Sequence, residues 1–137
     1  MKNTLKAFFG LTLVGLVQGA FMALLMMVVG ADMPTALMAT AVLVAPWSEE
    51  IVRANVGRQY SWSLAIFEGV GTGLIALPIK LAMHVGFFPA CYRRWGLKGA
   101  ISAHFINNAL AVGIASFIPL ELLLVSFVVH FLVLCMG

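Results

Sequence analysis

Residues 41–53 read AVLVAPWSEEIVR, an apolar run that ends in two adjacent carboxylates, Glu49 and Glu50, and an arginine, Arg53. Ionisable side chains at membrane depth are costly and are usually retained for function. Pro46 lacks a backbone donor, so it predicts a helix kink just before the glutamates. This stretch therefore predicts a bent transmembrane helix that carries a polar site.

The composition is that of an integral membrane protein. The chain has 137 residues, of which 63% are hydrophobic and 9% charged, and its mean hydropathy is +1.07. A soluble domain carries about 25% charged residues, so these few charges could not cover a water-facing surface. The net charge of +3 is therefore no sign of nucleic-acid binding. Cys91 and Cys135 lie in or beside apolar segments, which favours small buried hydrophobic side chains over a disulfide or a metal pair.

Breaks in the hydrophobic pattern predict an all-α membrane bundle of about six transmembrane segments in a single domain over 1–137. A spanning helix needs about 20 apolar residues. The fourth segment is short, so it is either a compact span or a re-entrant helix. The predicted segments are 6–29, 34–58, 62–79, 81–92, 98–117 and 120–136.

Basic residues cluster at three places that fall on one side of the membrane if all six segments span. They precede the first segment, follow the second, and lie between the fourth and fifth. The positive-inside rule then places both termini in the cytoplasm. Lys80 alone would lie on the opposite side, where it is expected to extend to the outer interface. The clustered residues are Lys2, Lys6, Arg53, Arg58, Arg93, Arg94 and Lys98.

Polar residues on four segments lie at a similar depth. At a rise of about 1.5 Å per residue, Glu49 and His84 each lie about 13 Å from the cytoplasmic ends of their helices. By the same measure Glu68 and His104 lie about 9 Å deep, and Asn108 about 15 Å. Such agreement predicts a shared internal site in the cytoplasmic half of the bundle.

Helical spacing assigns partners within this site. Arg53 is i+4 from Glu49 and i+3 from Glu50, so it can pair with either. The two glutamates point about 100° apart on a helix, which favours Glu49 at the centre of the site and Glu50 in the pair with Arg53. His104 and Asn108 are one turn apart and share a face.

Two chemistries fit this set, and the spacing does not choose between them. In the first, Glu49, His84 and His104 bind a divalent metal, with zinc expected, and leave an open position for water. Glu50 would then accept the water proton, while Asn108 would donate to the oxyanion. In the second chemistry a glutamate activates water directly, without metal, and the histidines stabilise the oxyanion.

Non-catalytic interpretations also fit these residues. Glu49, Glu50 and Arg53 could form an ion pair that locks a helix end. His104 could serve only as an interhelical hydrogen-bonding group. Glu68 could serve helix packing, or join Glu50 and a histidine in a proton pathway.

The polar motifs resemble the superfamily of intramembrane proteases that includes the CAAX prenyl proteases, the bacteriocin-processing enzymes and the PrsW/YhfC-like proteins. The resemblance covers residues 45–117. The chain departs from the CAAX branch in having two residues rather than three between the glutamate pair and the arginine. It also has Gly71 where that branch has the histidine of Phe-x-x-x-His. The matching motifs are Glu49-Glu50-x-x-Arg53, Phe67-Glu68-Gly69-Val70-Gly71-Thr72-Gly73, His84, and Arg93-Arg94-Trp95-Gly96 leading to His104-x-x-x-Asn108.

The resemblance implies a membrane-embedded endopeptidase, of metallo or glutamic type, in the inner membrane of a prokaryote. It would cleave a peptide or lipidated protein near the cytoplasmic face. The catalytic residues would be Glu49, Glu50 and Asn108, and the metal ligands Glu49, His84 and His104, with Arg53 and Glu68 in support. The alternative is an inactive relative, a bacteriocin-immunity or membrane scaffold protein, which the missing Phe-x-x-x-His histidine favours.

Overall fold

The described part of the chain is all-helical. The computed structural model describes residues 2–117, and it contains helices joined by short connections and no strand within that range. The segment predicted over 120–136, with Cys135, lies outside the described residues. Cys91 is buried, as predicted.

The first helix, α1 (Lys2–Leu24), continues into a π-helical turn over Leu25–Val29. Gly30 ends it with a φ of 73°, a left-handed conformation that glycine adopts without strain. Asp32 then caps the next helix, since its carboxylate accepts a hydrogen bond of 2.8 Å from the amide of Thr35. Hydrogen bonding by Thr35, through its side chain and then its amide, also holds the pKa of Asp32 below its usual value.

The second predicted segment is a bent pair of helices. Helix α2 covers Met33–Leu43, α3 covers Ala45–Val56, and the two meet at 45°. Pro46 lies in the first turn of α3, where its missing N–H breaks the hydrogen-bond ladder to α2. The predicted kink is therefore confirmed, and it lies directly before the glutamate pair.

The third predicted segment is shorter than expected. Helix α4 covers Arg58–Gly71 and follows the single residue Gly57, whose φ is 82°. A second glycine turn at Gly73, with a φ of 101°, separates α4 from the next helical turn. The prediction of a helix over 62–79 was wrong at both ends, because one glycine in the left-handed region is enough to turn the chain at each boundary.

The chain beyond Gly73 forms a helical hairpin. A short 3₁₀ turn leads into α5 (Leu77–Leu81), a π-helical turn (Ala82–Phe87) and α6 (Phe88–Phe117), which is broken at Gly96. The rings of Phe88 and His104 stack 4.2 Å apart, although a straight helix would separate these residues by about 24 Å. The chain therefore reverses at Gly96, whose φ of 69° suits glycine. The predicted boundary between segments four and five is confirmed.

Two stretches are long and apolar enough to cross a membrane, Asn3–Val29 and Leu74–Gly113, and the bent pair α2 and α3 makes a third. Only 6% of the apolar window in the first stretch is buried, and 17% in the second. So much uncovered apolar surface is expected of a protein that packs against lipid. The second stretch contains the reversal at Gly96, so its two arms lie side by side.

The helices pack most closely at two glycines. A Cβ at Gly10 of α1 would lie 2.6 Å from a methyl group of Val52 and 3.2 Å from the ring of Tyr60. A Cβ at Gly69 of α4 would lie 2.6 Å from the side chain of Leu77. Small residues allow such approach between helices in lipid, and these contacts bring α3, α4 and α5 around the polar residues.

Candidate functional site

Buried polar side chains from four helical elements meet inside the bundle. Helix α3 supplies three of them, and α4, the π-helical turn and α6 supply one each. All except the residue from α4 are at least 94% buried. The sequence-based prediction of a shared site is thus matched by the arrangement of these side chains, which are Glu49, Glu50, Arg53, Glu68, His84 and His104.

Arg53 lies at the centre of the cluster. Its guanidinium donates through Nη1 to Glu50 Oε1, through Nη2 to His84 Nδ1 at 2.7 Å, and through Nε to Ser61 Oγ at 3.1 Å. The guanidinium carbon also lies 5.5 Å from the ring centre of Phe88. The predicted choice of Glu50 as the partner of Arg53 is confirmed.

His104 is held between a carboxylate and an aromatic ring. Its Nδ1 lies 2.9 Å from Glu50 Oε1, which accepts the bond, and its ring stacks on Phe88 at 18°. A histidine that donates through Nδ1 to a carboxylate has its other nitrogen free to accept a proton. That nitrogen, Nε2, lies 3.8 Å from Glu49 Oε2.

Glu49 has one satisfied oxygen and one free oxygen. Gln18 of α1 donates to Oε1 at 3.0 Å, and the same amide lies 3.4 Å from Ser48 Oγ. Oε2 is buried and has no hydrogen-bond partner among the described residues. A buried carboxylate oxygen without a partner is costly and rare, so Oε2 marks the place where a water, a substrate or an ion would bind.

Gln18 was not among the predicted site residues, although its position in the sequence gave a signal. It is a strongly polar side chain in the middle of an apolar span, and such residues usually face the bundle interior. The sequence does not predict which face of α1 points into the bundle, because the helix has apolar residues on every face.

Glu68 accepts contacts from two residues of the neighbouring arm. His84 Nε2 lies 3.1 Å from Glu68 Oε2, and Lys80 Nζ lies 2.6 Å from the same oxygen. Lys80 was expected to extend to the outer membrane interface, and this expectation was wrong. Lys80 and His84 are one turn apart and share a face of their helix, so the lysine follows the histidine toward α4.

A metal ion could be held by Glu49, Glu68 and His84. One ligand atom from each lies within 4.8 Å of the others, and two carboxylates with one imidazole form a usual ligand set for a divalent cation. The predicted ligand set had His104 in place of Glu68. Glu68 joins this group because it lies beside His84, whereas His104 lies beside the two glutamates of α3, with Nε2 3.8 Å from Glu49 Oε2.

Asn108 has a different partner from the one predicted. Its amide donates to the backbone carbonyl of Ala41 at 2.7 Å, and its side-chain oxygen accepts from Asn107 at 3.1 Å. The side-chain oxygen is thus occupied and one N–H of the amide holds Ala41, which leaves the second N–H for the predicted donation to an oxyanion. The bend before α3 accounts for the contact with Ala41, because it leaves carbonyls at the end of α2 open to an interhelical donor.

A cavity of about 380 Å³ reaches Arg53 from the end of α3. Arg58, from the start of α4, and Arg93, from the hairpin, also line it, together with Ser61 and Tyr92. No acidic residue is among the described residues that line the cavity, so it offers a basic approach to the buried cluster.

No known protein family, curated protein or solved structure matches this chain. The chemistry available to the site is therefore argued from its own side chains.

Proposed function

We propose that this chain is a membrane-embedded hydrolase that cleaves peptide bonds with water activated by Glu49. The observation that carries the proposal is the free, buried Oε2 of Glu49, 3.8 Å from Nε2 of His104. Two proton-accepting atoms thus lie close together inside a membrane bundle. General acid–base catalysis can use this pair, because Glu49 can carry the water proton to the leaving amine while a protonated His104 donates to the carbonyl oxygen.

Each surrounding side chain has a task in this reaction. Glu49 takes a proton from water as the water oxygen attacks the carbonyl carbon, and the proton passes to the amine as the C–N bond breaks. Glu50 fixes the orientation of His104 through Nδ1, and Arg53 keeps Glu50 in place. His104, once protonated, stabilises the negative charge on the carbonyl oxygen.

A divalent ion, with zinc expected from the donor types, would be held by Glu49, Glu68 and His84. Such an ion supplies Lewis-acid polarisation of the carbonyl and lowers the pKa of bound water. The tasks of Glu49, Glu50 and His104 do not require it.

We further propose that both termini lie in the cytoplasm of a prokaryotic cell, and the packing supports one part of this proposal, a common end for the basic residues. Ala7 of α1 belongs to the same core as Tyr60 of α4, and Arg58 and Arg93 line one cavity. The start of α1, the α3–α4 turn and the hairpin turn therefore lie near one end of the bundle. The basic residues gather there, as the positive-inside rule requires of a cytoplasmic face in a six-segment arrangement. A peptide or lipidated protein would approach from this end.

Cleavage by the purified protein in liposomes tests the proposal. A set of fluorogenic membrane peptides is incubated with the wild type and with Glu49→Gln and His104→Gln, and Asp32→Asn serves as the control outside the site. We expect each site variant to lose at least about 100-fold in rate, which is the usual contribution of a general acid or base. Equal cleavage by the wild type and Glu49→Gln would refute the assignment of Glu49.

A non-catalytic role, as an immunity or scaffold protein, has one observation in its favour. Lys80 pairs with Glu68, and Asn108 is bound to Ala41, so several polar atoms are already satisfied internally. A protective phenotype that survives Glu49→Gln would favour this role over hydrolysis.

A further inference from the structure

The group that could hold a metal already contains a cation. Lys80 Nζ lies 2.6 Å from Glu68 Oε2, the same oxygen that faces His84 Nε2 at 3.1 Å. The side chains of Lys80 and Glu68 are 31% and 21% exposed, so the pair lies largely inside the protein. An ammonium group at this oxygen occupies the side of Glu68 that a metal would use.

His84 is engaged in a way that opposes metal binding. A guanidinium has donors only, so Arg53 Nη2 must donate to His84 Nδ1. The neutral imidazole then has its proton on Nε2, which donates it to Glu68. A histidine that binds metal usually has the reverse arrangement, with its second nitrogen donating to a carboxylate, a carbonyl or water. His84 can join a metal site only by moving its proton and losing the bond from Arg53.

The charges of the cluster point the same way. It contains three carboxylates, and two side-chain cations contact them, namely Arg53 at Glu50 and Lys80 at Glu68. Arg53 is fixed by three donor contacts, whereas Lys80 is held by its ion pair with Glu68 within the part of the chain that the structure describes. Lys80 is therefore the cation whose removal would leave a carboxylate open.

We propose that Lys80 is a built-in counter-ion that competes with divalent metal for the Glu49, Glu68 and His84 group. In the wild type the ammonium group holds Glu68 and metal binding is weak. Removal of the ammonium group frees the carboxylate, and a divalent ion of the zinc type binds in its place. The inference concerns cation binding alone and does not depend on peptide hydrolysis.

Zinc titration of the purified protein in detergent, by isothermal calorimetry, tests this inference. Lys80→Met removes the charge and keeps an unbranched side chain, Lys80→Arg keeps the charge, and the exposed Lys98→Met is the matched control. We expect Lys80→Met to bind one zinc ion per chain at least about tenfold more tightly than the wild type, because a competing positive charge is gone. Lys80→Arg and Lys98→Met should match the wild type.

The role of Glu68 as a zinc ligand is checked in the Lys80→Met variant. Adding Glu68→Gln to Lys80→Met should abolish the gain in zinc affinity. Zinc affinities of the wild type and Lys80→Met within twofold of each other would overturn the proposal, as would a gain that persists without Glu68. If Lys80→Met does not purify as a folded protein, judged by gel filtration and circular dichroism, Lys80→Gln takes its place with the same expectations.

Discussion

Replacing Arg53 with methionine should destabilise the protein more than replacing any exposed arginine. Arg53 is 6% exposed and donates to Glu50, His84 and Ser61. Methionine fills much of the space of the side-chain stem but supplies no donor. The variant therefore leaves Glu50 as a buried carboxylate without its cation.

The magnitude is set by these contacts. A hydrogen bond that involves a charged group contributes about 1.5–3 kcal/mol, and Arg53 makes three such bonds, with Glu50, His84 and Ser61. Removing one partner of a buried ion pair costs about 3–5 kcal/mol, and this measured class of substitution already includes the loss of such bonds. We expect the free energy of unfolding to fall by about 3–5 kcal/mol. In Arg53→Lys the loss should be smaller, because the charge remains but the three-way donor geometry does not.

Equilibrium unfolding in mixed micelles, with rising SDS and circular dichroism as the signal, measures this difference. Arg58→Met is the control, since Arg58 is exposed at the start of α4, and it should shift the unfolding free energy by less than about 0.5 kcal/mol. Adding Glu50→Gln to Arg53→Met should restore part of the loss, because the buried charge is then gone. Equal unfolding free energies for Arg53→Met and Arg58→Met would refute the central position given to Arg53.

Three further predictions use the same unfolding measurement. Gly10→Ala should lower the free energy of unfolding by about 1–3 kcal/mol through overpacking, because its Cβ would lie 2.6 Å from a methyl group of α3. The control Gly15→Ala meets no atom within 4 Å and should not destabilise; equal losses would contradict the helix contact. Gly96→Ala should lose about 1–2 kcal/mol through its left-handed backbone, whereas Gly86→Ala should not, since no positive φ is found there. Asp32→Ala should lower stability at pH values above the unfolded-state pKa of the carboxyl, because the depressed folded-state pKa of Asp32 contributes stability there. In the wild type this contribution is lost as pH falls through the folded-state pKa, and the variant should lack that loss; an unchanged pH profile would contradict the helix cap.

The meeting of the polar side chains could be predicted, because the sequence gives the distance of each residue from the end of its helix and the spacing of residues along it. Glu50 and Arg53 are one turn apart on one helix, so their pairing followed from local geometry. The partner of Glu49 did not, because it comes from α1, whose orientation about its axis is not specified by a helix that is apolar all round. The role of Lys80 was missed for a related reason, since the glycine turn at Gly73 shifts the start of its helix.

The contact of Asn108 with Ala41 was not predicted, because it depends on a longer-range effect. Helical spacing predicted that Asn108 shares a face of its helix with His104. The bend between α2 and α3, however, leaves the carbonyl of Ala41 within reach of its amide. A sequence can predict that the helix bends, but the group that a bend exposes depends on the position of every neighbouring helix.

The π-helical turn over Ala82–Phe87 changes the direction in which successive side chains point around the helix axis. In a regular α-helix, residues four apart drift by about 40° per step, so three such residues would spread over about 80°. Lys80, His84 and Phe88 are spaced by fours, and all three contact the cluster. The wider i→i+5 turn rotates less per residue and offsets that drift. With the same residues in a regular α-helix, Lys80 and Phe88 would point about 80° apart, so the wider turn keeps an ammonium group, an imidazole and an aromatic ring on one line.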